Sequence, residues 1–420
     1  MLFLLIDLLL IITLLILMRV SKTLRFMNPC FIFIFFHLIF ISYRCYQIIV
    51  QDSLIISNQF YLKPVSVEEI ENFLIISDVT LLGFFIGYYI KYFLFIPKKR
   101  KNEIHKIRIE NRKIIKYFTI IVFICGIFSL VLFATIPGVV DNKDLERNTF
   151  IVMFSNLGIV AVIILVYQYG FKKLYLIIFF FIIILYAAQG ENRYRVILPL
   201  IFILLLYLKK HNLKFPPIKF ILAGFVIALL TLPLKSIGSD LRNNQNVDLV
   251  ESFIKSFDEF STGKSGDLSF VEQGAAMVSN INERGKYFLG RTYFPILIFW
   301  IPRSMYQEKP RLNEWQFEIS DKNRNFGEMG QISLISGEAY ANFGLFGAFV
   351  IPFFLGWFYA KLYLNQMYQS YLSRKFLLYA IFTMILFQVW RDGIISLILF
   401  PILNFSPLFI LYFLKKDKHN

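Results

Sequence analysis

The residues of this chain best equipped for chemistry are arginines and carboxylates that stand where apolar segments give way to polar turns. Arg193, Arg195, Arg291, Arg303, Arg324 and Arg391 occupy such positions, with Glu191, Glu338 and Asp392 nearby in the sequence. A guanidinium keeps its charge and presents a planar fork that fits a phosphate bidentately, so several of them can hold a pyrophosphate without a metal ion. A carboxylate beside them can take a proton from an attacking hydroxyl. No other base is on offer at these turns. His105, His211 and His419 lie in strongly basic segments and His37 lies inside an apolar run. No D-x-D spacing for a catalytic metal occurs in the external segments, the chain has no zinc spacing or disulfide framework, and Cys30, Cys45 and Cys125 all fall in apolar runs. This inventory therefore leads us to expect no metal and no cofactor.

The stretch from Gly290 to Gly356 concentrates this inventory. A short apolar piece, Tyr293 to Pro302, gives way to Arg303-Ser-Met-Tyr-Gln-Glu-Lys309-Pro310. A polar run follows, and Ser336-Gly337-Glu338-Ala-Tyr340-Ala-Asn342-Phe-Gly344 leads into an apolar helix. The short piece spans about 15 Å as a helix, too little to cross a bilayer, so it should dip and return or lie flat. Irregular backbone at membrane depth is tolerated only where protein buries it or a wet cavity borders it. Glu338 follows a Ser-Gly pair just before a helix expected to begin near Tyr340. There it serves either as the base for an acceptor hydroxyl or as a helix cap. Gly344, Gly347 and Gly356 are expected in one helix, as sites of close approach.

The elements that position these residues are membrane helices. At 57% hydrophobic and 18% aromatic residues with positive mean hydropathy, the chain carries more apolar surface than a soluble core can hide. Apolar runs mark about eleven spans (range about ten to thirteen), which makes the fold class all-α and polytopic. They run Leu2 to Met18, Pro29 to Val50, Asn72 to Ile96, Ile114 to Ile136, Phe150 to Tyr169, Leu174 to Ala188, Val196 to Leu208, Ile218 to Leu234, Tyr340 to Leu362, Phe376 to Trp390 and Ile394 to Leu414. The first lacks a basic leading region and a small-residue cleavage site, and reads as a retained anchor.

The net charge of +16 follows topology. Lys and Arg cluster in every second loop: Arg19 to Arg25, Lys98 to Lys113, Lys172-Lys173, Lys209 to Lys219, Arg374-Lys375 and Lys415 to Lys418. By the positive-inside rule those loops are cytoplasmic, the N-terminus is outside and the C-terminus is inside. The excess charge thus gives no reason to expect nucleic acid as a partner. The Lys98 to Lys113 loop either sets orientation or attracts anionic head groups. The expected organisation is residues 1–234 as N-terminal spans, 235–333 as one large external loop with short helices, and 334–420 as C-terminal spans.

Local motifs refine this layout. Ser66-Val-Glu-Glu69 reads as a capping box, against an alternative acidic site at Glu68 to Glu71. Asp248 to Ser261 reads as an amphipathic surface helix, Thr262 to Gly266 as a hinge, and Leu268 to Ile281 as a packing helix. Arg193 and Arg195 on an external turn break the charge bias of the chain, so they either pair with Glu191 or serve a ligand.

Taken together, Gly290, Ile301-Pro302-Arg303, Lys309-Pro310 and Ser336 to Gly347 resemble the oligosaccharide repeat unit polymerases of the O-antigen polymerase (Wzy-type) family. The layout of many spans with one large late external loop resembles it over the whole chain. The resemblance implies a multi-pass enzyme of the bacterial cytoplasmic membrane. It would transfer a growing glycan from undecaprenyl pyrophosphate to a new lipid-linked repeat unit outside the membrane, with lipid-linked oligosaccharides, membrane lipids and a chain-length regulator as partners. Glu338 and Arg303 are the expected catalytic residues. Arg193, Arg195, Arg291, Lys309 and Arg391 are the expected pyrophosphate-binding residues, with Glu191, Tyr340, Asn342 and Asp392 as further candidates. An O-antigen ligase would share the donor, but that family generally carries a histidine in its large loop, and this loop has none. A polysaccharide flippase or exporter is the non-enzyme alternative.

Overall fold

The computed structural model describes residues 1–51, 65–95, 108–109, 112–135, 156–188, 194–222, 224, 250, 252, 254, 270–301, 305–310, 314–319, 333–414 and 417–418. Apart from a two-residue antiparallel pairing of Arg108–Ile109 with Asp417–Lys418, these residues are helical or in turns. The chain divides into two compact units. The first comprises Met1–Ile96, Glu259–Leu364 and Leu386–Ile398, and the second Pro97–Asp258, Asn365–Ile385 and Leu399–Asn420.

The first unit opens with α1 (Leu2–Val20), α2 (Pro29–His37), a π turn (Leu38–Ser42), α3 (Tyr43–Gln51) and α4 (Val67–Leu94). The second holds α5 (Arg112–Thr135), α6 (Leu157–Tyr169), α7 (Lys173–Ala188) and α8 (Tyr194–Lys210). Next along the chain come α9 (Phe270–Arg284), the short α10 (Phe294–Ile298) and α11 (Glu314–Ile319), then α12 (Leu334–Gln366) and α13 (Arg374–Asp392). The last helices are α14 (Ile395–Leu399) and α15 (Ser406–Leu414).

Among the described residues, four helical stretches are long and apolar enough to cross a membrane: Leu2–Val20, Pro29–Val50, Val67–Leu94 and Leu334–Gln366. The pair Ile395–Asn404 and Ser406–Leu414, bent by 75°, makes a broken fifth. Helices α6, α7, α8 and α13 lie where other spans are expected but are shorter or carry more charge, and α5, 24 residues long with its three basic residues within its first five positions, also lies at an expected span. The expected Ile218 to Leu234 span lies mostly outside the described residues.

Because α1 is apolar all round, its buried stripe shows only in three dimensions. Leu4, Asp7, Ile11, Leu14 and Met18 are buried, at alternating spacings of three and four that keep them on one helical face. Leu5, Leu9, Ile12 and Ile16 stay exposed, as a lipid-facing surface requires. Helix α4 starts at the expected capping box: the Glu69 N–H donates to Ser66 Oγ at 3.2 Å, and the Ser66 N–H donates to Glu69 Oε2 at 2.7 Å. An aromatic cluster ties four segments together, with Phe36 against Phe387 at 5.1 Å, Phe40 against Phe270 at 5.3 Å and Phe40 against Trp390 at 5.4 Å between ring centroids. In the second unit, the Tyr167 hydroxyl meets the Leu372 and Ser373 carbonyls, and Lys209 Nζ donates to the carbonyls of Gln366 and Met367.

Two expectations about α12 need correction. It begins at Leu334 rather than near Tyr340, and it is not one regular helix. At Phe343 (φ −143°, ψ 20°) and Gly344 (φ 63°, ψ −149°) the backbone leaves helical geometry, so Gly344 marks a break while Gly347 and Gly356 lie beyond it. The Gly344 conformation is one that only glycine adopts without strain.

Past the break, α12 packs on α4 at backbone contact distance. A Cβ at Gly83 would lie 2.3 Å from the Phe349 carbonyl oxygen, at Gly87 1.9 Å from that of Phe353, and at Gly356 2.0 Å from that of Phe84. The obstructing atoms are backbone and cannot rotate away. Gly87→Ala is therefore expected to force the helices apart at a cost of about 2 kcal/mol, seen as a lower melting temperature of the purified protein in detergent. Gly224→Ala, where a Cβ meets nothing within 4 Å, is the control expected to melt with the wild type.

Candidate functional site

The break in α12 frees the carbonyls of Ala341 and Asn342 from helical partners, and the segment after α9 takes them up. The Phe288 N–H donates to the Ala341 carbonyl at 2.9 Å and the Leu289 N–H to that of Asn342 at 3.0 Å. The Gly290 N–H donates to Asn342 Oδ1 at 2.9 Å. These bonds hold a tight reversal in which Leu289 (φ 50°) and Gly290 (φ 87°) are both left-handed, ahead of a 3-10 turn at Arg291–Tyr293. The amide of Asn342 also donates, to Thr292 Oγ1 at 2.7 Å and to the Glu338 carbonyl at 2.8 Å. One buried side chain thus links the first turns of α12 to the reversal.

Glu338 faces a different partner. Helix α13 ends at Asp392, Gly393 turns the chain at φ 88°, and the Ile394 N–H donates to Glu338 Oε2 at 2.7 Å. A Cβ at Gly393 would sit 2.0 Å from that oxygen, so only glycine lets the carboxylate approach. Glu338 is buried, and its Oε1 makes no hydrogen bond, with the Thr292 hydroxyl adjacent. Burial, and after it the charge of Glu338, push the neighbouring Tyr293 phenol up. Asp392 accepts from Gln388 Nε2 at Oδ2, has Arg391 Nε at 3.6 Å from Oδ1, and receives the Ser333 hydroxyl on its carbonyl at 3.3 Å. Tyr340 donates its hydroxyl to Asn282 Oδ1 at 2.7 Å, which fastens α12 to the end of α9.

The structure therefore brings Glu338, Tyr340, Asn342, Asp392 and the Gly290 reversal into one polar assembly of the first unit. The cations it describes already have engagements. Arg291 pairs with Glu318 and lies over the Phe288 ring, Arg391 stands beside Asp392, and Lys309 Nζ donates to the carbonyls of Phe299 and Ile301 at 2.6 and 2.9 Å. Lys309 thereby closes its own loop. Arg195 belongs to α8 in the second unit, with its side chain outside the described residues. Arg193, Glu191, Arg303 and Arg324 lie outside them as well, as do Thr262 to Gly266 and most of Asp248 to Ser261.

Sequence reasoning missed a second set of ionisable groups in the first unit, on membrane helices and, for Glu272, on α9. His37 Nε2 lies 3.0 Å from Asp7 Oδ1 and 3.2 Å from Asp78 Oδ1, with all three residues buried. Arg44 Nε donates to Glu272 Oε1 at 2.9 Å, Arg44 Nη2 meets the same oxygen, and Nη1 donates to Gln47 Oε1 at 3.2 Å. The available signal was the presence of Asp7, Arg44 and Asp78 within apolar runs, since an intramembrane charge is costly and seldom without a role.

Asn342→Ala removes the acceptor for the Gly290 N–H and two donated bonds at a buried position. It is expected to cost about 2 kcal/mol or more, read as a lower melting temperature. Asn342→Asp keeps the acceptor but sets a carboxylate oxygen against the Glu338 carbonyl at a buried position, so it should destabilise at least as much. A wild-type melting temperature for Asn342→Ala would show that the reversal is held by other contacts.

Comparison with known proteins places this chain in a family. No curated protein and no solved structure matches the chain. The family model O-antigen polysaccharide polymerase Wzy matches residues 1–416, essentially the whole length. The chain is an integral membrane protein that belongs to the O-antigen polysaccharide polymerase Wzy family.

Proposed function

We propose that this polymerase transfers a growing glycan from its undecaprenyl pyrophosphate carrier to the non-reducing end of a lipid-linked repeat unit, on the external face of the bacterial cytoplasmic membrane. The carrying observation is the family match over residues 1–416, joined to a polar assembly at the start of α12. In the proposed step an acceptor hydroxyl gives its proton to Glu338 Oε1, the buried oxygen without a hydrogen bond. The hydroxyl oxygen bonds to the anomeric carbon as the bond from that carbon to the pyrophosphate oxygen breaks. The bonding pair leaves with the lipid pyrophosphate. Arg303, Arg291, Lys309 and Arg391 of the first unit are the proposed cradle for that anion, in place of a metal ion, and Arg193 and Arg195 of the second unit are proposed as further phosphate-binding residues. For Arg291 and Arg391 this means exchanging Glu318 and Asp392 for phosphate oxygens.

In the proposed topology the N-terminus is external, the C-terminus is cytoplasmic and residues 235–333 form a large external loop, and the proposed protein partner is a chain-length regulator. Cysteine labelling is expected to reach Lys264→Cys only from outside, and labelling from the cytoplasm would overturn the placement of the reaction.

One observation favours a second role for Glu338. Its bond to the Ile394 N–H makes it an anchor for the joint between α13 and α14. Glu338→Gln separates the two roles, because glutamine still accepts that N–H but takes no proton. A general base should lose on the order of a hundredfold in rate with purified enzyme and lipid-linked repeat unit, at unchanged melting temperature. Near-normal polymer formation would leave Glu338 as an anchor only. At the arginines, Arg291→Lys and Arg391→Lys keep charge but lose the fork, and should impair polymerisation nearly as much as alanine. Wild-type polymer from both would remove these two from the cradle.

A further inference from the structure

We propose that Asp7, His37 and Asp78 form a binding site for one divalent transition-metal ion, of the Zn2+ or Mn2+ class, among the membrane helices of the first unit. One ligand atom from each residue lies within 4.8 Å of the other two. A single imidazole nitrogen, Nε2, faces oxygens of both carboxylates at 3.0 and 3.2 Å, although one N–H can serve only one of them. Ligands of a tetrahedral zinc ion, bound at about 2.0 to 2.2 Å, lie about 3.3 to 3.6 Å apart, so the two distances from His37 Nε2 already suit an ion, while the ligand atoms of Asp7 and Asp78, within 4.8 Å of each other, would close on it. Asp7 Oδ2 and Asp78 Oδ1 are buried without a hydrogen bond, which is the state of oxygens that have capacity to spare.

Two buried carboxylates that converge on one imidazole concentrate negative charge that a divalent ion would offset. One imidazole with two carboxylates suits Zn2+ or Mn2+ better than the softer or harder ions. The π turn that follows His37 is a local widening of the kind often found at binding sites. Asp78 keeps 13% of its side chain accessible. The ion would clip α1, α2 and α4 together. It takes no part in the reaction at Glu338, so this site and the polymerase mechanism stand or fall separately.

The test uses the full chain, purified in detergent through a tag without histidine, incubated with ZnCl2 or MnCl2, desalted and assayed for metal by mass spectrometry. The wild type should retain about one ion per chain and should melt at lower temperature after EDTA, while His37→Gln and Asp78→Asn should bind at least about tenfold less. His211→Gln, outside the cluster, should bind as the wild type does. Retention of less than about one ion per ten wild-type chains, or equal binding by His37→Gln and Asp78→Asn, would overturn the site. If those variants do not fold, metal content and EDTA-sensitive melting of the wild type decide alone.

Discussion

In an apolar surrounding, every backbone N–H and carbonyl must find a partner within the protein, and the break at Phe343 and Gly344 is where this chain meets that demand most visibly. A regular helix would have used the carbonyls of Ala341 and Asn342 internally. Broken, it offers them to Phe288 and Leu289, and the side chain of Asn342 completes the pairing with Gly290. The location of the 285–301 segment thus depends on a discontinuity elsewhere in the sequence. Gly344 is fixed twice over, by its left-handed backbone and by the Tyr287 hydroxyl that a Cβ would meet at 2.9 Å.

From that joint the polar assembly extends through contacts that each need one particular residue. Glu338 reaches the Ile394 N–H only because Gly393 has no side chain, and Tyr340 reaches Asn282 across to α9. The helix carrying Glu338, Tyr340 and Asn342 is seated rigidly farther along, where Gly83, Gly87 and Gly356 let α4 and α12 touch backbone to backbone. Precision at a site comes from such support, because a side chain is only as well placed as the element beneath it.

Much of this was legible in the sequence. Apolar runs of membrane length carry their own boundaries, so α1, α4 and α5 lie within a few residues of where they are expected, and the capping box at Ser66 and Glu69 formed as read. The motif around Ser336 to Gly347 carried the family, which the match over residues 1–416 bears out. The break in α12 was hidden, because a Phe-Gly step inside an apolar run looks like one more small residue for packing. Its early start at Leu334 was hidden because Ser336 and Glu338 look like surface residues when their partners, Ser77 and the Ile394 N–H, are far away in sequence. The engagement of Arg291 by Glu318 is likewise a long-range fact that composition does not contain.

The buried charges show most clearly where sequence patterns lose their power. Helix α1 is apolar on every side, so no amphipathic stripe reveals which face turns inward; Asp7 alone marks it, falling in register with Leu4, Ile11, Leu14 and Met18. Read that way, an isolated acid in an apolar span says that a partner exists, though not that the partner is His37 on α2 or Asp78 on α4. The same holds for Arg44, whose partner Glu272 lies 228 residues away. Such pairs add little net stability, since the loss of hydration offsets their attraction, yet removing one member costs about 3 to 5 kcal/mol by leaving the other charge unanswered. Wrong registers of α1, α2, α3, α4 and α9 would carry that same penalty, whereas apolar contacts between lipid-facing helices would tolerate a slip of one turn. The buried charges therefore act chiefly to select one packing of the first unit, on which the placement of Glu338 and the Gly290 reversal then rests.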